Sequence, residues 1–248
     1  MLLLREKISK TPNLFISYTA IMTAIVFIFT VVFSLYIPET KGYFNIGETG
    51  VYIAAITGGP IVGGIAGGIG SALSDVALGY TYYAPVTLVV KGVEGILVGY
   101  LAIIIPKILG RNRAMGIAIG LVLSAAMYVL GTTFYLGPAE VTIGVVKPLN
   151  LTVTLNQAVW IIGAILTLAI IIALTILKQE YVAYGLATLT GGLEMVLGYF
   201  LYEQVVYGPG AIAEVPFNIM QMIIGTILSL TILGTLTRLW SSGPKESL

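Results

Sequence analysis

Five charged side chains, Asp75, Lys91, Glu94, Glu194 and Glu203, lie inside apolar stretches long enough to cross a bilayer. A charge facing hydrocarbon is strongly unfavourable unless it meets a partner or a wet cavity. The chain is therefore restricted to folds in which these stretches turn their charged faces toward one another. Only 9% of its 248 residues are charged and 58% are hydrophobic, the balance of an integral membrane protein. No polar stretch is long enough to form a separate soluble domain, so residues 1–248 read as one membrane domain.

Pro, Gly and charge clusters divide the chain into eight apolar segments. The first span is expected over about Leu14–Ile37, between Pro12 and Pro38. A polar loop with Lys41, Asn45 and Glu48 follows, and then a short segment, Thr49–Gly58, too short to span alone. Further helices are expected at about Ile61–Gly79, Pro85–Ile108, Ala114–Leu136, Asn156–Leu177, Tyr181–Tyr207 and Val215–Leu239. Residues 137–155 read as a polar loop. The fold class is an all-α polytopic bundle. The N-terminal apolar run has full span length and no small-residue cleavage site after it, which reads as a retained helix rather than a signal peptide.

Lysine and arginine set the expected orientation. With both termini in the cytoplasm, Arg5, Lys7, Lys10, Lys107, Arg111, Arg113, Lys178, Arg238 and Lys245 fall inside, and only Lys41 and Lys147 outside. At about 1.5 Å of rise per residue, Asp75, Lys91, Glu94, Tyr199, Glu203, Asn218 and Gln221 then share the outer half of the membrane. Lys91 and Glu94 are three apart, as are Asn218 and Gln221, so each pair shares a helix face. Convergent polar groups in an apolar cavity suit a small polar organic ligand, held under the loop that carries Asn45 and Glu48. The plainer reading is a structural ion pair of Lys91 with Asp75 or Glu94, and a proton or ion path would use similar residues.

The chain has no Cys and no His, which removes thiol chemistry, imidazole bases and the commonest metal ligands. No metal, no cofactor and no enzymatic activity are expected, and no basic groove for nucleic acid is present. The glycines from Gly58 to Gly70 lack the Gly-Lys-Ser/Thr ending of a phosphate loop. Gly59, Gly63 and Gly67, with Gly64 and Gly68, instead make a small-residue face for close helix packing. Ala20 and Ala24 form a small pair on the first helix. Tyr80, Tyr82 and Tyr83 read as interfacial anchors. With no nucleotide-hydrolysis motif, uphill transport would need a partner.

Several of these residues occur together in a known pattern. Phe44-Asn-Ile-Gly-Glu48, Gly59-Pro60-Ile-Val-Gly63, Asp75, Pro85 and Lys91-Gly-Val-Glu-Gly95 resemble the substrate-binding S components of energy-coupling-factor (ECF) vitamin transporters. Met195-Val-Leu-Gly-Tyr199 and Val215-Pro-Phe-Asn-Ile-Met-Gln221 are similar to that family's last two helices, and Ala20 and Ala24 match its docking alanines. The resemblance implies a subunit of a prokaryotic cell membrane that captures a vitamin-like heterocycle from outside. It further implies delivery with a transmembrane coupling subunit and two ABC ATPases. The expected substrate-binding residues are Asn45, Glu48, Asp75, Lys91, Glu94, Tyr199, Glu203, Asn218 and Gln221. The family has six helices; the surplus, 114–177, reads as an inserted hairpin. Lack of histidine argues against the family's cobalt and nickel branch. The competing readings are a stand-alone proton- or ion-coupled secondary transporter using Asp75, Glu94 or Glu203, and an intramembrane enzyme.

Overall fold

The computed structural model describes residues 2–37, 42–109, 113–143, 149–177 and 180–242. A helix stands at each of the eight expected positions, preceded by a short amphipathic helix, α1 (Leu2–Lys10). The eight are α2 (Pro12–Val32), α3 (Glu48–Gly58), α4 (Pro60–Leu78), α5 (Ala84–Leu109), α6 (Arg113–Phe134), α7 (Gln157–Leu177), α8 (Glu180–Tyr207) and α9 (Val215–Ser242). Among the described residues, α2, α4, α5, α6, α7 and α9 are long and apolar enough to cross a membrane. The 28-residue α8 has the length but carries Glu180, Glu194 and Glu203. The molecule is a polytopic membrane bundle. Lys41, Arg111, Lys147, Lys178 and Lys245, used in the charge count, lie outside the described residues.

Two expectations need correction. The first helix stops at Val32, and Phe33–Ile37 continues as a strand, β1. The expected loop at 137–155 is a strand pair, β3 (Gly137–Ile143) and β4 (Leu149–Leu155). With β2 (Gly42–Asn45), these make one antiparallel sheet in the order β2-β1-β3-β4 at one end of the bundle. Phe33–Ile37 is apolar enough to extend a helix. Its backbone groups find partners instead on β2 and on β3, about a hundred residues away in sequence, and such pairing leaves no local signal.

Breaks in the helices follow residue chemistry. Gly59 has a φ of 87°, a left-handed value that glycine adopts readily, and Pro60 follows as the first residue of α4. The chain thereby turns sharply between α3 and α4. Ten of the eleven residues of α3 are buried, from Glu48 to Thr57. At about 16 Å long it is half a bilayer core, and surrounding helices cover it.

Helices α4 and α5 touch backbone to backbone. A methyl group at Gly63 would sit 2.6 Å from the Gly95 carbonyl oxygen, and one at Gly67 would sit 2.7 Å from the Lys91 carbonyl oxygen. Helix α5 also packs on α3 and α8, and α9 packs on α3 and α8. Helices α6 and α7 pack mainly on each other. At the end away from the sheet, Arg5 of α1 is buried and donates to the Ile56 carbonyl at 2.6 Å and to the Ala102 carbonyl at 3.4 Å. Four residues after each acceptor stands a proline, Pro60 and Pro106. Proline has no N–H, so neither carbonyl has its usual intrahelical donor, and Arg5 supplies both.

Candidate binding site

A hollow of about 460 Å³, including its open mouth, lies between the bundle and the β1–β2 ribbon. Among its walls are Asn45, Asp75, Lys91, Tyr199, Asn218 and Gln221, six of the nine site residues expected from sequence. They come from β2, α4, α5, α8 and α9. The bundle brings the five helical ones together because each is the polar interruption of an otherwise apolar helix face, and β2 adds Asn45 from above.

Glu48 and Glu94 stand behind this wall rather than in it. Lys91 donates to Glu48 Oε1 and, at 3.1 Å, to Glu94 Oε2. Tyr52 donates to the other oxygen of Glu94 at 3.0 Å, and Gln221 Nε2 to Glu48 Oε1 at 2.7 Å. Both carboxylates are fully buried, so the cluster binds α3, α5 and α9 through charge-assisted hydrogen bonds. The anticipated pairing of Lys91 with Glu94 is present. Its second partner is Glu48, not Asp75. The Lys91 ammonium also lies 5.6 Å from the Tyr199 ring centre, a cation–π distance.

Asp75 belongs to a different chain of contacts. Tyr43 donates to its Oδ1 at 2.7 Å, Thr87 bonds to it as well, and Tyr199 donates to Thr87 at 3.0 Å. The ribbon is tied down a second time where the Asn45 backbone N–H donates to Gln221 Oε1 at 2.9 Å. Asn45 Oδ1 is taken up by the Gly47 N–H at 2.8 Å. The side chain thus shapes the turn into α3.

Glu203 is fully buried and lies beyond the hollow's lining. It accepts from Tyr83 at 3.3 Å and shares a hydrogen bond with Glu214. Glu214 lines the hollow, as do Tyr43, Tyr83 and Thr87. None of these four was singled out as a binding residue from sequence. Glu214 falls in the Gly-Pro break between α8 and α9, and the one available signal was a lone acid just before the Pro-x-Asn-x-x-Gln piece. Tyr83 is buried at 5% exposure, unlike Tyr82 beside it at 43%, so the anchor reading suits Tyr82 and not Tyr83. Burial raises the pKa of Tyr43 well above its ordinary value, and the Asp75 charge raises it further. Burial does the same to Tyr83, with Glu214 and Glu203 adding to it. Both phenols stay neutral donors through physiological pH.

Ala20 and Ala24 are not among the residues lining this hollow. Both are exposed and line a shallow apolar groove with Phe15, Phe27, Ile65 and Ile69 on the faces of α2 and α4.

An apolar helical bundle with a polar hollow beneath a strand ribbon is the build of a membrane protein that holds a small solute. The chain belongs to the family of S components of ECF-type riboflavin transporters, whose model matches residues 14–182. It is therefore a substrate-binding transporter subunit. The matched stretch includes Asn45 through Glu94 of the expected site, runs on through α6 and α7, and ends before Tyr199. A Pyrococcus woesei protein described as uncharacterised and lying in the gap 3′ region is similar too. It is 32% identical over 193 residues, 77% of this chain and 80% of its own length.

Proposed function

We propose that the hollow captures a flat, vitamin-like heterocycle of the riboflavin kind from outside the cell and that the chain serves an ECF-type ABC importer. The observation that carries this reading is the meeting of Asp75, Lys91, Tyr199, Asn218 and Gln221 around one hollow. Asn218 and Gln221 offer amide donors and acceptors, Tyr199 a ring face, and Lys91 a cation for a carbonyl or anionic group. Glu48 and Glu94 hold Lys91 in place, and Glu203 acts through Tyr83 and Glu214 at the hollow's edge. Both termini face the cytoplasm of a prokaryotic cell, which the lysine and arginine distribution favours and the Pyrococcus relative suits.

The exposed groove around Ala20 and Ala24 is the proposed seat of the transmembrane coupling subunit, which in turn engages two ABC ATPases. Small residues there allow a partner helix to approach closely. Residues 114–177 are proposed as an insertion into a six-helix core. The packing of α8 on α5 and of α9 on α3 favours this, since α6 and α7 rest mainly on each other. Riboflavin titration of the purified protein, followed by quenching of the flavin's fluorescence, tests capture; no binding of riboflavin or of any co-purified heterocycle would reject it. Trp at both Ala20 and Ala24 is expected to abolish uptake by the reconstituted complex while binding persists. Uptake into liposomes by this chain alone would favour the secondary-transporter alternative.

A further inference from the structure

The ribbon over the hollow is not a free-standing hairpin. Its inner strand, β2, contributes Gly42, Tyr43 and Asn45 to the hollow's wall. Its other strand, β1, pairs with β2 from Ser34↔Asn45 to Ile37↔Gly42 and on its far edge with β3, through Phe33↔Ile143, Ser34↔Thr142 and Leu35↔Val141. Strand β3 is paired along its whole length with β4. A two-stranded hairpin is marginal in water, whereas a sheet of three or more strands with packing beneath it holds its shape. The strands that complete this sheet are the connection between α6 and α7.

That connection has its own footing on the bundle. Tyr135, two residues before β3, packs against Phe217 of α9 at a ring separation of 4.7 Å and against Trp160 of α7 at 5.6 Å. Phe217 is the neighbour of Asn218 in the wall. The hairpin therefore grips both sides of the hollow's mouth, the ribbon through β3 and α9 through Tyr135. Helix α2 runs straight into β1 with no intervening residue. The ribbon is thus anchored to α2 at its start and to β3 along its far edge.

We propose that the α6–α7 hairpin is a brace for the roof: pairing of β3 with β1 sets how often the ribbon lifts, and so how fast the site exchanges solute with the outside. The roof motion stands on the sheet alone; the step to solute exchange rests on the proposed function above.

The chain has no cysteine, so Ser34→Cys with Thr142→Cys places a single new pair on facing strands. In the ligand-free protein in nanodiscs, oxidation of this pair is expected to slow hydrogen exchange of amides 42–45 about fivefold relative to the same protein reduced. Thr142→Pro removes a ladder donor and is expected to speed that exchange about tenfold, with α9 amides unchanged. Release of bound riboflavin, used as the probe, should follow the same order. Roof exchange that is indifferent to both changes overturns the brace, as does failure of the two cysteines to cross-link. The oxidised-against-reduced comparison uses one folded protein, so it decides the matter even where the proline variant fails to fold. A wild-type protein that binds no riboflavin counts against the proposed function and not against the brace, which the amide measurement settles.

Discussion

Helix α9 and the α6–α7 hairpin are both apolar enough to cross a membrane, yet they are used in opposite ways. In the most apolar part of α9, 61% of residues are buried inside the protein, against 28% in α6 and 28% in α7. The difference follows the polar residues. Helix α9 buries Asn218, Gln221, Thr226 and Ser229, and it meets α8 where Thr226 donates to Thr188 at 3.0 Å. Helix α7 presents Ile161, Ile162, Ile165 and Leu166 outward. Within lipid, apolar surface gains little from burial against more apolar surface, so small and polar side chains decide which faces meet. The core of this molecule is its less hydrophobic part.

The largest effect expected from that contrast is at the α4–α5 contact. A side chain at Gly95 would drive into the Gly63 backbone, so Gly95→Leu should yield no monodisperse folded protein in detergent. Gly163 in α7 faces only the flexible Met127 side chain at 3.3 Å, and Gly163→Ala should keep the melting temperature within about 4 °C of wild type. Equal tolerance at the two positions would mean that the α4–α5 contact is no more tightly packed than the α6–α7 one.

Next comes the ion cluster. Lys91→Ala leaves Glu48 and Glu94 buried without their cation, a change that costs on the order of 3–5 kcal/mol, and ligand binding should fall with stability. Asn218→Ala sharpens the test, since Asn218 lines the hollow without holding that cluster. It should weaken riboflavin binding at least tenfold, about 1.4 kcal/mol, with an unchanged melting curve. Unaltered affinity in Asn218→Ala would remove that residue from the site.

A loss of stability of similar size is expected at the opposite end. Arg5→Ala strands two buried carbonyls, at a cost of about 1–3 kcal/mol for each group left unsatisfied. Arg5→Lys should recover part of it, because one ammonium cannot reproduce the planar fork that reaches both acceptors. Thermal unfolding of the two variants against wild type measures the difference.

How much of this was legible in the chain depends on whether the signal is local. Asp75, Lys91, Asn218 and Gln221 stand out because a polar residue in a long apolar run needs a reason, and their depth is fixed by helical rise. The short α3 was visible from the Gly-Gly-Pro break. The strands were hidden: Phe33–Ile37 carries no breaker before Pro38, and what makes it a strand is β3, far along the sequence. Glu214 escaped because a carboxylate beside a Gly-Pro turn looks like ordinary loop polarity. Tyr83 escaped for a related reason, since neighbouring tyrosines at a helix entrance do not reveal which one points inward. Arg5 counted in the sequence only as a positive charge. Its role depends on two prolines distant in the chain, which free two carbonyls that one guanidinium can reach.

The shared use of Arg5 has a practical corollary. Pro60 opens α4 and Pro106 lies inside α5, and a single guanidinium near the start of the polypeptide supplies the donor that both lack. Trimming the first ten residues to tidy an expression vector would thus undo two distant helix joints at once, and an affinity tag is better placed after Ser242 than fused tightly ahead of Leu2.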